Sequence, residues 1–144
     1  MTDVETRVVE QTLRIGARPE TVWQYWTDPQ LMCDWWGAAA QLDPRPGGVC
    51  RVEMEGGPVM RGEYLELVPY ERIVFSFGWE PTDGAPPLEP GSTRVEISLV
   101  AHEGDTILTV RHTIPADQAE LHRSGWEHFL PFLAAASERA SQER

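Results

Sequence analysis

DQAELHRSGWEHFLPFLAAASERASQ, residues 117–142, predicts a long helix at the end of the chain. Asp117 and Glu120 have the spacing of a capping box, so we expect the helix to begin at Asp117. The apolar face comprises Leu121, Gly125, Trp126, Phe129, Leu130, Leu133 and Ala134, and the polar face comprises His122, Arg123, Glu127 and Glu138. A helix with so wide an apolar face has to pack against a large apolar surface, which only the strands of this chain can supply.

Gly125 lies in the middle of this helix, where glycine costs about 1 kcal/mol relative to alanine. One interpretation is a position where backbone or a ligand approaches the helix closely. The other is a glycine that the helix tolerates. The sequence leaves both interpretations open.

Composition limits the class of protein. A length of 144 residues indicates a single domain, residues 1–144, which can bury roughly 68–70% of its unfolded surface. The hydrophobic share of 41% and the six tryptophans favour a folded core over disorder. The net charge is -11 and the arginines are scattered, so we expect no binding to nucleic acid. The chain has no lysine, which excludes Schiff-base chemistry and a phosphate-loop lysine.

The compartment is predicted from the first residues and from the cysteines. MTDVETRVVE lacks the apolar segment of a signal peptide, and no apolar run is long enough to span a bilayer. We therefore expect a cytoplasmic protein without membrane insertion. Cys33 and Cys50 do not form a C-x-x-C motif and are expected to be free, small buried residues.

The order of predicted elements indicates the fold class. A strand from about Arg7 to Ile15 precedes two short helices, residues 17–28 and 29–36, and a turn, DPRPGG. Five further strands follow, at residues 49–54, 59–68, 72–79, 93–100 and 106–113. Strands joined by short turns and closed by one long helix predict an α+β fold with a curved antiparallel sheet of about six strands.

The segment EPTDGAPPLEPGS, residues 80–92, is a long connection with four prolines. Long loops in compact domains are often functional lids or the mouths of sites. The alternative is a disordered hairpin tip. The sequence does not decide whether this loop is an ordered lid.

A series of short motifs runs from about Val8 to Ala136. They are WTDPQLMCDWWG, DPRPGG followed by CRVEM, RGEYLELVPYERIVFSFGW, the T-x-L-x-V-x-H spacing of Thr106, Leu108, Val110 and His112, and H-x-x-G-W at His122, Gly125 and Trp126. In this order and at these distances they resemble the activator of Hsp90 ATPase homologue 1-like (AHSA1-like) family of the START/Bet v 1 (SRPBCC) superfamily. The resemblance implies a helix-grip fold, in which a bent sheet grips the C-terminal helix and two short helices follow the first strand.

The resemblance implies a cavity between helix and sheet as the place of function. Members of the superfamily bind lipids, polyketides, plant hormones or other apolar molecules there, and some catalyse cyclisation or hydrolysis. The co-chaperones that name the family carry a further N-terminal domain for which this chain has no room, so we do not expect it to stimulate a chaperone ATPase. A homodimer is compatible with the family, although the sequence shows no interface. No cofactor is implied.

Strand alternation and the apolar helix face give a set of candidate cavity residues. They are Trp35, Trp36, Met54, Met60, Tyr64, Phe75, Phe77, Trp79, Val95, Ile97, Leu108, His112, Gly125, Phe129 and Leu133. The alternative is that these residues form a dry core, as apolar stripes usually do.

His112 and Tyr64 are the polar groups in this set and are the weak catalytic candidates. A histidine can act as general acid or base because its ordinary pKa is about 6.5, but it can equally be a hydrogen-bonded core residue. The sequence has no G-x-S-x-G motif, so a Ser-His-Asp triad is unsupported. His122 and His128 are six residues apart, which does not place them on one helical face, and we expect no metal site.

The leading hypothesis is a domain that binds a small hydrophobic or aromatic molecule between the last helix and the concave sheet. One alternative is an enzyme of the cyclase or hydrolase kind that uses His112 and Tyr64 on an apolar substrate. Another is a protein-interaction or stress-response module without a ligand, which predicts a filled interior and an exposed apolar patch around Trp35, Trp36 and the proline-rich loop.

Overall fold

A computed structural model describes residues 5–143 and consists of one curved sheet and three helices. The elements in chain order are β1 Thr6–Ile15, α1 Pro19–Thr27, α2 Pro29–Met32, β2 Ala39–Leu42, β3 Val49–Glu53, β4 Val59–Val68, β5 Arg72–Phe77, β6 Thr93–His102, β7 Asp105–Pro115 and α3 Ala116–Gln142. The strands pair in the order β1-β7-β6-β5-β4-β3-β2, and every pair is antiparallel. The predicted α+β helix-grip fold is confirmed.

The sheet has seven strands, whereas about six were predicted. The additional strand, β2, pairs with β3 in register from Ala39 opposite Glu53 to Leu42 opposite Cys50. Its sequence, AAQL, is short and rich in alanine, which has a low preference for strands. The strand therefore forms because β3 offers it a hydrogen-bonding edge, and its own sequence gives no signal.

The second short helix ends earlier than predicted. Asp28 caps α2, because its side chain accepts hydrogen bonds from the backbone N–H groups of Gln30 and Leu31. The helix stops at Met32 instead of continuing to Trp36, and the next residues form turns. The backbone N–H groups of Trp35 and Trp36 both donate to the Met32 carbonyl, which turns the two indoles into the core.

Helix α3 follows β7 without a loop. It begins at Ala116, and its N-terminal flanking residue is Pro115, whose side chain makes no capping hydrogen bond. The Ala116 N–H donates instead to the Glu5 carbonyl at 2.8 Å. The predicted capping box at Asp117 is therefore wrong, because backbone next to β1 replaces the side-chain cap.

The buried face of α3 differs from the predicted one at two positions. His122 was assigned to the polar face but is only 6% exposed, whereas Leu121, assigned to the apolar face, is 57% exposed. The face is fixed by its neighbours: Gly16 N donates to Glu138 Oε2 at 2.8 Å, and the Tyr25 hydroxyl donates to the Ala136 carbonyl at 3.2 Å. None of the helices within residues 5–143 combines the length and apolar character needed to span a bilayer.

The hydrogen-bonded pairing of β4 with β5 contains an irregularity near Tyr64. The pairing register shifts between Tyr64 and Glu66, and such a bulge bends the strand and increases its twist. Nearby, Gly62 lies so close to β5 that a Cβ atom there would overlap the Ser76 carbonyl oxygen. The Ser76 hydroxyl accepts the Glu63 N–H at 3.0 Å in place of a regular ladder bond.

Candidate functional site

A cavity of about 260 Å³ lies between the middle of α3 and one end of the sheet. We call it the aromatic cavity. Its lining residues are Trp36, Met54, Glu55, Pro58, Phe77, Trp79, Pro86, Leu121, His122, Gly125, Trp126 and Phe129. The walls come from α3, the turn between β3 and β4, the end of β5 and the loop at residues 80–92. Nearly all of the lining groups are apolar.

Gly125 opens part of the wall of this cavity. A Cβ atom added at Gly125 would meet no atom within 4 Å. Close packing of backbone against the helix therefore does not explain the glycine. Because glycine has no side chain, the space in front of this position stays unfilled, whereas any other residue would project a side chain into it.

A second cavity of about 430 Å³ adjoins the first. The two share Trp36, Met54, Glu55 and Phe129, and the second is further lined by Cys33, Asp34, Trp35, Gly37, His128 and Phe132. A wider hollow of about 810 Å³ is lined only by Trp79 and residues of the 80–92 loop, and does not reach α3. The aromatic cavity is therefore the hollow that brings together residues of α3, the end of β5 and the 80–92 loop.

The predicted cavity residues fall into three groups in the structure. Trp36, Met54, Phe77, Trp79, Gly125 and Phe129 line the aromatic cavity, and Trp35 lines the adjoining one. Met60, Tyr64, Phe75, Val95, Ile97, Leu108, His112 and Leu133 are buried in the packed core and do not line either cavity. Alternation along a strand shows which side chains face inward. It does not show which of these side chains line a cavity and which are packed in the core.

Six lining residues were absent from the predicted set: Glu55, Pro58, Pro86, Leu121, His122 and Trp126. A signal existed for the residues on α3, because Leu121, Gly125 and Phe129 are spaced four residues apart and share one line of the helix. Pro58 and Pro86 lie in connections without periodicity, so nothing in the sequence places them at the cavity.

His112 belongs to a chain of buried hydrogen bonds. The Trp126 indole N–H donates to His112 Nδ1 at 3.2 Å, and the Thr93 hydroxyl donates to the Phe77 carbonyl at 2.8 Å. The Thr93 oxygen therefore accepts from His112 Nε2 at 2.9 Å, which assigns the proton to Nε2. Burial, together with the nearby His122, lowers the pKa of His112 to about 3. His112 is a neutral core residue with both nitrogens engaged.

Tyr64 is similarly engaged. Its hydroxyl donates to the Trp26 carbonyl at 2.9 Å, and burial raises the pKa of Tyr64 well above its ordinary value. The group therefore stays protonated and holds α1 against β4. Neither weak catalytic candidate has a polar atom directed into the aromatic cavity.

His122 is the imidazole on the cavity wall. Its Nε2 accepts the Trp79 indole N–H at 3.0 Å, and its Nδ1 donates to the Gln118 carbonyl at 2.8 Å. Burial lowers the pKa of His122, although the bond to Gln118 acts in the opposite direction. Both nitrogens are occupied, so His122 presents ring carbon to the cavity and positions the indole of Trp79.

A family model described as Activator of Hsp90 ATPase homolog 1-like protein matches residues 16–138. The chain belongs to this family. The resemblance carried by the sequence motifs is thereby confirmed. No curated protein matches the chain.

Solved structures agree with this assignment. An AHSA1-like protein from Rhizobium etli is 36% identical, with a TM-score of 0.72, and the match covers 93% of this chain and 83% of that one. CalU16 from Micromonospora echinospora is 27% identical, with a TM-score of 0.73 and coverage of 96% and 83%. DynU16, a protein of the dynemicin biosynthetic locus, is 22% identical with a TM-score of 0.77 and shows the same fold. The match covers 95% of this chain but only 49% of DynU16, so this chain spans about half the length of that protein.

In this AHSA1-like domain the 80–92 loop is held against the sheet. The Trp79 N–H donates to the Leu88 carbonyl at 2.8 Å, and the Gly91 N–H donates to the Arg61 carbonyl at 3.0 Å. Leu88 is buried, and Pro86 reaches the aromatic cavity. Pro86 of this loop therefore forms part of the wall of the aromatic cavity.

The thiols of the AHSA1-like domain are both free. Cys50 is buried, and burial raises its pKa to about 12. Cys33 is partly exposed at the adjoining cavity, where burial and the neighbouring Asp34 raise its pKa. Both thiols are therefore held in the weakly nucleophilic protonated form. Within residues 5–143, no three histidine, cysteine or acidic side chains converge in a way that could hold a metal ion.

Proposed function

We propose that this AHSA1-like domain binds a small apolar or aromatic molecule in the aromatic cavity. The observation that carries the proposal is the open space in front of Gly125, where α3 faces the end of β5 and an almost wholly apolar lining. Protein interiors are normally filled to the density of organic crystals. A mid-helix glycine that keeps such space open costs about 1 kcal/mol of helix stability, and a ligand-binding role accounts for that cost.

The size and chemistry of the cavity favour a small ligand. Its volume of about 260 Å³ lies just below the range of about 300–1,000 Å³ found for drug-sized molecules. An engineered apolar cavity of about 150 Å³ in another protein takes up benzene. Five aromatic side chains line it: Trp36, Phe77 and Trp126, which are nearly buried, and Trp79 and Phe129, whose partly exposed rings offer surfaces on which a ligand ring can stack. Binding would remove these surfaces from water, which supplies the driving force.

The two alternative functions receive less support. An enzyme that uses His112 and Tyr64 would need their polar atoms at the cavity, but both side chains lie in the core with those atoms hydrogen-bonded. An interaction module predicts an exposed apolar patch around Trp35, Trp36 and the proline-rich loop. The two tryptophans do not supply it, because they are only 4% and 5% exposed.

Gly125→Leu tests the proposal. The leucine side chain would extend into the open space, so we expect ligand affinity to fall at least about tenfold, or about 1.4 kcal/mol. Ligands are first found by calorimetric melting of the wild-type protein against a panel of lipids, polyketides, flavonoids and single-ring aromatics. A ligand at 100 times its dissociation constant adds about 2.7 kcal/mol to the free energy of unfolding. The affinities of wild type and variant are then compared by isothermal titration calorimetry.

Ser124→Leu is the matched control. Ser124 precedes Gly125 on the same helix but is exposed to solvent, so this variant adds the same side chain outside the cavity. We expect its affinity to equal that of the wild type. Equal affinity of Gly125→Leu and Ser124→Leu for every ligand of the panel would show that the aromatic cavity is not the binding site.

A further inference from the structure

The polar groups at the aromatic cavity define which ligand charge it can accept. Five lining side chains carry polar atoms: Glu55, His122 and the indoles of Trp36, Trp79 and Trp126. Both nitrogens of His122 are occupied by Trp79 and Gln118, so the imidazole has no atom left for a ligand. Glu55 is exposed to solvent and lines both cavities. The indoles of Trp79 and Trp126 donate to His122 and His112. The charged group left for a ligand is therefore the acceptor Glu55, beside the indole N–H donor of Trp36.

Among the described residues, no arginine forms an ion pair with the carboxylates of the two cavities. Within residues 5–143, nine arginines form ion pairs with acidic side chains. None of these pairs includes Glu55 or Asp34, the acidic residue of the adjoining cavity. By contrast, Glu80, at the end of the same sheet, lies between Arg51 at 2.8 Å and Arg61 at 3.3 Å.

The other lining groups and the net charge of the chain also favour a positively charged ligand over a negatively charged one. The aromatic cavity is lined by no arginine, and the adjoining one adds a single imidazole, His128, which packs edge-on against Phe129 and Phe132. The faces of tryptophan and phenylalanine attract cations through their ring quadrupoles. The net charge of -11 raises the local concentration of cations at the surface and repels anions.

We propose that the ligand of this cavity is an apolar cation, such as an aromatic quaternary ammonium or protonated amine. This inference rests on the proposed function and names its substrate class. The apolar part of the ligand occupies the space in front of Gly125, and its positive end faces Glu55. A fatty acid or another anionic lipid would place its charge beside the Glu55 carboxylate and is excluded from the class.

Three phenols of similar size test the charge preference. The probes are 3-(trimethylammonio)phenol, its neutral isostere 3-tert-butylphenol and the anion 3-hydroxybenzoate. Titration calorimetry at low salt is expected to give at least about fivefold tighter binding of the cation than of the isostere, since one ion pair near the surface contributes about this factor. Added salt should reduce the difference, because Glu55 is exposed and its field is screened. The anion should bind most weakly.

Glu55→Gln assigns the preference to one residue. It should weaken binding of the cation about fivefold and leave the neutral isostere unchanged. Glu71→Gln is the control, because it removes the same charge from an exposed position in the turn between β4 and β5, at the opposite end of β5 from Trp79. This control should leave all three affinities unchanged.

The outcomes separate the two proposals. If the isostere binds the wild type but not Gly125→Leu, the cavity is the site whatever its charge preference. In that case, a cation that binds no tighter than the isostere, or whose affinity Glu55→Gln leaves unchanged, overturns the charge inference alone. Tighter binding of the anion overturns it too. If Gly125→Leu leaves the affinity of the isostere unchanged, the proposed function itself fails. If none of the three phenols binds to the wild type, the assignment of the ligand to the class of apolar cations is overturned.

Discussion

Replacing Gly62 by alanine is expected to lower the free energy of unfolding by about 3 kcal/mol or more. The added methyl group would overlap the carbonyl oxygen of Ser76 in the neighbouring strand, and a backbone atom cannot turn away as a side chain can. The strands would have to separate where the hydroxyl of Ser76 holds the N–H of Glu63. Urea denaturation followed by circular dichroism measures the loss.

Gly125→Ala is the matched comparison, since it makes the same chemical change in open space. Because the new methyl group meets no atom within 4 Å, only the helix preference of alanine counts. This should raise stability by up to about 1 kcal/mol. The two substitutions are thus expected to change stability in opposite directions. If both variants were equally stable, the close approach of the two strands at Gly62 would not be a constraint on the fold.

Acidification is expected to destabilise the wild-type protein well before its carboxylates titrate. In the unfolded chain His112 has an ordinary pKa of about 6.5, whereas in the folded chain its pKa is about 3. Between these values the unfolded state binds a proton that the folded state excludes, so each pH unit downward lowers stability by about 1.4 kcal/mol. His112 alone should remove about 1.6 kcal/mol between about pH 6.5 and pH 5.

His122 contributes in the same direction, because burial lowers its pKa as well. Glu80 and Glu96 do not affect the pH dependence of stability in this range. Their arginine partners hold their pKa values below the ordinary 4.5, so the stability that these two carboxylates contribute is lost only at lower pH. Urea titrations at a series of pH values measure the slope. His112→Gln removes the titrating group and should give a shallower slope than the wild type, whatever its stability at neutral pH. An unchanged slope would mean that His112 has the same pKa in the folded and unfolded states.

The fold could be predicted because long-range packing follows local patterns in most of this chain. Trp126, Leu130 and Leu133 recur at helical spacing, and the inner face of β5 alternates regularly, so both elements are marked in the sequence. Strand β2 has no such pattern, since its four residues depend on the edge of β3. The cap of α3 was mispredicted for a related reason, although its bounds agree with the prediction to within one residue: the Glu5 carbonyl, far away in sequence, replaces the side-chain cap.

The candidate site was less predictable than the fold. Gly125 and Phe129 could be placed at the interior from the helix pattern, and both line the cavity. His122 was assigned to the polar face because residue type was used as a guide to exposure. Its burial depends on the indole of Trp79, which the sequence cannot show. The neutral state of His112 likewise depends on partners that only the folded chain brings together.

The tryptophans of the core have a consequence for spectroscopy. The indole rings of Trp26, Trp35, Trp36 and Trp126 pack with centroids between 4.7 and 6.3 Å apart. At such separations the electronic transitions of neighbouring rings couple, and excitation absorbed by one indole passes to the others before light is emitted. Two members, Trp36 and Trp126, face the aromatic cavity. The fluorescence of the cluster is therefore a shared property, and a molecule that enters the cavity alters it without any added label.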